Sequence, residues 1–420
     1  MNMIQRLAAL ESQGKPIQVG VVGTGDFGRS MICQLHAIQG VAVPILADIH
    51  VEHAVEALEM CGWKRDQIVI AKQKTALAQF WGQGKPIVTA DYTWLFDAPI
   101  HIIVDCTGDP DAGAKIAYYG LLNGKHVASV NKEADAVIGP LLGRLAKRMG
   151  LVYTLVDGDH PCAVNSLYQW AVTLGLKVIA AGKGTRFYRE QPQAYSNSQI
   201  EMTSTANMTG LIPDVPGMHF RRARLEELPD LLCLEKDGGI LKHEGVIEAI
   251  NCLDSEERVV VDPVLLNSVF IVVTSEYRES LRIMKEKGGV MSKNGDRALL
   301  YRPFHLCGIE APFSILQAAL DGCASGEMLE KPVADVVAVA QRDIMAGEVL
   351  DGHGYGKKMV RGMIEKAEVA VSNGHLPLGL ACQVAVKEFV PAGTILTYDM
   401  LQSKDTTLLW KLRALLEEGM

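Results

Sequence analysis

Three glycines in six residues, Gly23-Thr-Gly25-Asp26-Phe27-Gly28, carry the first chemical signal in the chain. The spacing is that of a turn that cradles a pyrophosphate. Gly23 permits the tight turn, Gly25 lets backbone approach an anion, and Gly28 lets helix and strand pack closely. Asp26 and Phe27 complete the turn. Free N–H groups at the start of the following helix favour negative charge. The motif follows an apolar run and precedes a helical pattern. An acid, Asp48, stands at the expected end of the second strand. A carboxylate there accepts hydrogen bonds from ribose hydroxyls and repels a 2′-phosphate. No Arg follows it in A-D-I-H-V-E-H, although His50 could assist a phosphate. NAD is therefore favoured over NADP. The run DCTGDP (105–110) ends a further strand, which places Cys106, Thr107 and Gly108 beside the nicotinamide half, Cys106 as an apolar filler of that wall.

Four ionisable residues are candidates for the reaction itself. Lys132, in VNKEAD (130–135), leaves the fifth expected strand at the same crevice edge, with Asn131 beside it as a cofactor contact. An ammonium there stabilises alkoxide charge or relays a proton during hydride transfer. Asp159, in VDGDHP, precedes Pro161 and reads either as a helix cap or as a site acid. Lys183 lies between Gly182 and Gly184, as a strand-terminating turn or as a cation for a substrate carboxylate or phosphate. Glu201 opens an expected helix within SNSQIEMTSTAN, a block dense in hydrogen-bonding side chains; it reads as a dipole-complementing residue or a substrate acid. YRPFHLCGIEAP gathers Tyr301, Arg302, His305 and Glu310.

The elements that must position these residues follow from periodicity. IQVGVVG (17–23), VAVPILAD (41–48), IHIIVDCTG (100–108), HVASVNKE (126–133) and LVYTLVDGD (151–159) read as strands, with a weak one at IVTAD. Short apolar runs without helical period are strands buried on both faces. Helical patterns between them imply βαβ units and a doubly wound parallel sheet. Beyond residue 160 a helix (161–176), a strand (177–184), a polar loop with a helix at 200–209, and β-branched stretches at 259–275 suggest an α+β domain with an open sheet. The segment 278–297 reads as a charged surface hairpin or loop. From about 333 short strands, AEVAV among them, are punctuated by Gly and Pro and closed by a helix at 406–418. The expected domains are 1–157 (Rossmann), 158–332 (catalytic) and 333–420 (small and β-rich).

Composition narrows the function classes. The chain has 420 residues, 48% hydrophobic and 21% charged, with a formal net charge of −8. This is globular composition, and its acidity argues against a nucleic-acid partner. Nine cysteines without a C-x-x-C pair argue for reduced thiols and against a zinc site, so no metal is expected. The opening residues lack a signal-peptide pattern, and no apolar stretch is long enough to span a bilayer. The expectation is a cytoplasmic enzyme acting on a small molecule, with no membrane partner.

GVVGTGDFG, DCTGDPDAG, VNKEAD, DGDHP, AAGKG, IEMTSTANMTGLIPDVPGM and YRPFHLCGIEAP, in this order, resemble homoserine-dehydrogenase-like oxidoreductases, and more closely the subgroup of the DXR-like reductoisomerase (DRL). The run RDIMAGEVLDGHGYG, LPLGLA and FVPAGTILTYDML is similar to SAF domains, which are β-clip modules. The resemblance implies NAD(P)-dependent chemistry on a small polyol, hydroxy acid or sugar phosphate in a homo-oligomer. It places Lys132 near the nicotinamide and Asp159, Lys183 and Glu201 in the substrate cleft. The DRL reaction would convert 1-deoxy-D-xylulose 5-phosphate to 2-C-methyl-D-erythritol 4-phosphate with NADPH. Where that family commonly carries Asp-Gly-Thr-Lys, this chain has Ala194-Tyr-Ser-Asn197. That departure favours another polyol or hydroxy acid. A dinucleotide-bound protein whose catalysis has lapsed is the non-enzyme alternative.

Overall fold

The computed structural model describes residues 2–188, 192–352, 357–403 and 407–420, with side chains from residue 195 onward in the helix that begins at Pro192. Residues 353–356 of the SAF-like run, residue 406 of the closing helix and the side chain of Ala194 lie outside the described residues. The fold is α/β, and the chain divides into two compact units.

The first unit comprises Met1–Asp135, Leu141–Asp159 and Leu306–Glu327. Its sheet has seven strands: β1 (Ile17–Val22), β2 (Val41–Ala47), β3 (Val69–Ile70), β4 (Ile87–Thr89), β5 (Ile102–Asp105), β6 (His126–Ser129) and β7 (Tyr153–Leu155). The order is β3-β4-β2-β1-β5-β6-β7, and every pairing is parallel. Apart from the two-residue edge strand β3, this is the doubly wound order of a dinucleotide-binding fold. Strand order reverses between β1 and β5, so the crevice at the carboxyl ends of these two strands is where a ligand belongs. Ile102, Ile103 and Val104 of β5 are fully buried, as are Val19 and Val21 of β1. Helices cover both faces, which is why these strands read as unbroken apolar runs. The helix Lys132–Arg148 begins six residues before the expected start at 138, because Asn131 caps it: its side chain accepts the Ala134 N–H.

The second unit comprises His160–His305 and Met328–Met420, with Ala136–Pro140. Its six-stranded mixed sheet runs β12-β13-β11-β8-β10-β9. The strands are β8 (Lys177–Thr185), β9 (Ile212–Pro213), β10 (Val246–Asn251), β11 (Val269–Thr274), β12 (Val290–Met291) and β13 (Ala298–Arg302). Two small antiparallel pairs follow, β14 (Ala334–Ala340) with β16 (Val360–Lys366) and β15 (Val349–Asp351) with β17 (Cys382–Ala385).

Several local expectations are corrected. The stretch 259–275 contributes one strand, β11, because Asp262 caps a helical turn at Pro263–Leu266 and breaks the β-branched run. AEVAV is helical (Ala367–Ser372): Ala and an early Glu favour the helix, and Gly374 (φ +63°) follows its end. Residues Arg278–Glu286 form an amphipathic helix before the β12–β13 hairpin. The helix expected at 200–209 begins at Pro192.

The closing helix, Leu408–Glu418, is anchored by charge. Arg413 is 2% exposed and donates to Asp335 of β14, to Glu417 and to the Val137 carbonyl. Burial pushes the Asp335 carboxyl up, against the pull of the Arg413 guanidinium. Removing one partner of such a pair strands the other in low dielectric. R413M should therefore cost about 3–5 kcal/mol in urea unfolding at pH 7, and R413M/D335L should recover most of it. A loss below about 1 kcal/mol, the scale of a surface pair, would show that the anchor is not structural.

Candidate active site

The glycine turn of the first unit is fixed by sterics. Gly23 has φ +88°, and a Cβ on it would lie 2.7 Å from the Cys106 carbonyl oxygen. A Cβ on Gly28 would lie 2.3 Å from the Gly23 carbonyl oxygen. No side chain larger than hydrogen fits either place. Gly25 differs, since a Cβ there would meet nothing within 4 Å. It is the N-cap of the helix Asp26–His36 and supplies no side-chain cap. The first amides of that helix therefore present donors and positive dipole to open space. Asp26 is exposed and paired with Arg29, and Phe27 is half-buried against the core.

Asp48 stands at the end of β2 against this turn. Its Oδ2 accepts from Thr24 N (2.7 Å) and Thr24 Oγ1 (2.6 Å), and its Oδ1 accepts from His50 N (2.8 Å). The carboxylate thus braces the turn.

A second brace ties the ends of β5 and β6. Asp105 is 1% exposed. Its Oδ1 accepts from Thr107 N (2.9 Å) and Oγ1 (2.7 Å), and its Oδ2 from Asn131 Nδ2 (3.1 Å). Asn131 also donates to the Asp109 carbonyl (2.7 Å). Its side chain is thus hydrogen-bonded within the fold at the ends of β5 and β6. Cys106 packs beneath Gly28, and burial pushes its thiol up. Gly108 turns the chain away at φ +66°.

Lys132 opens its helix beside Asp159, Nζ to Oδ2 3.5 Å, both side chains mostly covered. The segment carrying Asp159 is held by Ser314, which accepts from Asp157 N and donates to Asp157 Oδ2, both at 2.7 Å.

In the second unit Lys183 and Glu201 form a buried ion pair, 5% and 4% exposed. The glycines beside Lys183 admit neighbouring backbone: a Cβ on Gly182 would lie 1.9 Å from the Glu248 carbonyl oxygen, and one on Gly184 1.9 Å from that of Leu265. They fix the lysine within β8, where backbone approaches closely on either side of it. His160 completes the group, with Nδ1 3.2 Å from Lys183 Nζ and 3.6 Å from Glu201 Oε2. An ammonium only donates, so toward Lys183 the Nδ1 of His160 is the acceptor. The His160 ring stacks on His305 at 3.8 Å between centroids. His160 is a member of the site that sequence reasoning does not reach; its one signal there is its place after Asp159.

The polar block around Glu201 is chiefly structural. Ser196 Oγ accepts from Gly362 N, Gln199 Oε1 from Ile364 N, and Asn207 Oδ1 from Val333 N and Ala334 N. Thr203, Thr205 and Thr209 donate to carbonyls four residues back. Glu201 is the member that reaches Lys183.

Residues 194–311 match the family model described as Oxidoreductase DRL, catalytic domain. No curated protein matches. Among solved structures, the chain is similar to a probable dehydrogenase from Thermotoga maritima, with 14% identity over 74% of this chain and 92% of that one, TM-score 0.42. A 3-ketoreductase from Actinomadura kijaniata, solved with NADP, gives 14% identity over 76% and 92%, TM-score 0.40. A myo-inositol dehydrogenase from Lactobacillus casei, solved with NAD(H) and myo-inositol, gives 18% over 45% of this chain and 53% of that one, TM-score 0.32. The match thus spans about half the length of the inositol dehydrogenase.

Burial raises the Asp105 carboxyl to about 6. The folded state then binds this proton more tightly than the unfolded chain does, whose carboxyl titrates near 3.9. The cost of burying the charge is full above pH 6 and fades as pH falls toward 4. From pH 7 to pH 5 the unfolding free energy of wild type should gain on that of D105N by on the order of 1–2 kcal/mol. A pH-independent difference would mean that Asp105 does not titrate there.

Proposed function

We propose that the protein is an NAD(P)-dependent oxidoreductase acting on a small polyol, hydroxy acid or sugar-phosphate-like substrate. The observation that carries this reading is the open glycine turn at the switch point of a doubly wound sheet, with Asp48 beside it. The match of residues 194–311 to an oxidoreductase catalytic domain supports it. The fit of a dinucleotide rests on the uncapped amides of the helix Asp26–His36 and the free space over Gly25. These amides would hold the pyrophosphate, Asp48 the adenosine ribose, and Thr107 and Gly108 the nicotinamide half. When bound, the nicotinamide would supply or accept the hydride.

The chain's own residues divide the remaining work. Lys132 donates to the reacting oxygen of the substrate, and Asp159 keeps that ammonium oriented and takes part in the proton relay. Lys183, Glu201 and His160 recognise the polar substituents of the substrate, with the His160 Nε2–H as donor. NAD remains the favoured cofactor, because a carboxylate at position 48 repels a 2′-phosphate. The C-terminal strands are assigned to an SAF-like module and the assembly to a homo-oligomer.

A second reading is favoured by the family match, namely the reductoisomerase chemistry of DRL with NADPH. Turnover of 1-deoxy-D-xylulose 5-phosphate with NADPH, set against a panel of polyols and hydroxy acids with NAD, separates the two. K132A should lower kcat by roughly 10²–10⁴-fold while leaving dinucleotide affinity within about twofold, a range of under 0.5 kcal/mol. An active K132A would remove this lysine from the mechanism. D48A should weaken both dinucleotides, because the turn loses its brace, and NAD more than NADP. An unchanged ratio of the two dissociation constants would take Asp48 away from the ribose.

A further inference from the structure

We infer that His219 is held as an imidazolium between two buried carboxylates, Asp214 and Glu248, and that this charge clamp pins the loop after the helix carrying Glu201. Its deprotonation releases that loop. The inference concerns the second unit alone and does not depend on which reaction the protein performs.

Both ring nitrogens face carboxylate oxygen. Nδ1 is 3.1 Å from Glu248 Oε1, and Nε2 is 3.4 Å from Asp214 Oδ2. A neutral ring would turn a lone pair toward one of these anions; an imidazolium offers an N–H to each. Neither carboxylate side chain is exposed to solvent. Without the cation, two negative charges would share a dry volume, which is costly even for hydrogen-bonded acids.

The backbone around His219 is under strain. Met218 (φ +63°) and Phe220 (φ +52°) both occupy the left-handed region, which disfavours residues bearing a Cβ. Glu248 holds this conformation by accepting the N–H of His219 (2.9 Å) and of Phe220 (3.3 Å). The loop in turn holds its neighbours. Gly217 N donates to the Ile364 carbonyl on β16 (2.7 Å), and Gln199 Nε2 donates to the Gly217 carbonyl (3.1 Å). Gln199 stands on the helix that carries Glu201, so the clamped loop is tied to that helix.

The other charges near the clamp are few. His243 shares Asp214 through its N–H (3.0 Å) and Nδ1 (2.8 Å), and Lys242 N donates to Asp214 at 2.9 Å. Arg221 opposes the imidazolium, and the Tyr195 hydroxyl lies within the field of Glu248. From β8, the residue opposite Glu248 is the uncharged Gly182. The net effect raises the His219 imidazole, chiefly through its hydrogen bond to Glu248. Since the folded value lies above the unfolded one, the clamp's stabilisation is complete below about pH 6.5 and is lost as pH rises through the folded value.

The test is the ¹⁵N spectrum of the histidine side chains in the full-length protein, with unfolding measured from pH 6 to 9. Expected are a wild-type His219 signal in which both nitrogens stay protonated at pH 7, and a titration that moves to lower pH in E248Q and in D214N. The unfolding constant of wild type should rise relative to that of H219Q across this window. A His219 neutral at pH 7, or one that titrates at the same pH in wild type and E248Q, would overturn the clamp. If H219Q does not fold, the wild-type and E248Q titrations decide the matter.

Discussion

Backbone meets backbone at the end of β1 with no room for a single carbon atom. Gly28 lies against the Gly23 carbonyl, and Gly23 lies against the carbonyl of Cys106 at the end of β5. This close approach sets the rest of the first unit. It brings the helix Asp26–His36 down onto the sheet, aims its uncapped amides past the carboxyl edge, and requires fully buried strands beneath. Around it the fold spends carboxylates as braces. Asp48 holds the turn from β2, and Asp105 joins the ends of β5 and β6 through Thr107 and Asn131. Hydrogen bonds from backbone N–H groups to an ionised acceptor are strong and directional, so the crevice is shaped before any ligand arrives.

The second unit meets a different constraint, the burial of charge. Lys183 faces Glu201, Arg413 faces Asp335, and His219 stands between Asp214 and Glu248. Each set takes ions out of water, and each ion there needs an opposite charge or hydrogen bonds beside it. One of the three, Lys183–Glu201, ties the helix Pro192–Thr209 to β8, and the C-terminal strands β14 and β16 are hydrogen-bonded to the same helix through Ser196, Gln199 and Asn207. The helix is polar on nearly every side because it is surrounded by backbone that needs partners.

The sequence made the glycine turn, the parallel sheet and Asp48 legible, because steric identity and strand burial are local properties. It also pointed to Lys132, Asp159, Lys183 and Glu201, but not to their pairing. Lys183 and Glu201 meet across 18 positions and Asn207 meets Ala334 across 127, distances that spacing rules do not reach. The structural use of the block SNSQIEMTSTAN was hidden for the same reason: the strands that consume its side chains lie more than a hundred residues downstream. AEVAV and the part of 259–275 that precedes β11 read as strands because short apolar runs do not declare their period. His160 gave only its adjacency to Asp159, and the imidazole–lysine contact belongs to tertiary structure.

The account stands most directly on a dinucleotide lying over Gly25. That residue has φ −64° and ψ −168°, a conformation open to any L-residue, and a Cβ would meet nothing there. Titration of NADH and NADPH fluorescence with wild type and G25V, alongside their unfolding curves, tests this without disturbing the fold. The account predicts saturable binding by wild type, and a G25V protein as stable as wild type that binds at least tenfold more weakly, a loss of about 1.4 kcal/mol or more. No saturable binding by wild type, or equal binding by G25V, would contradict it.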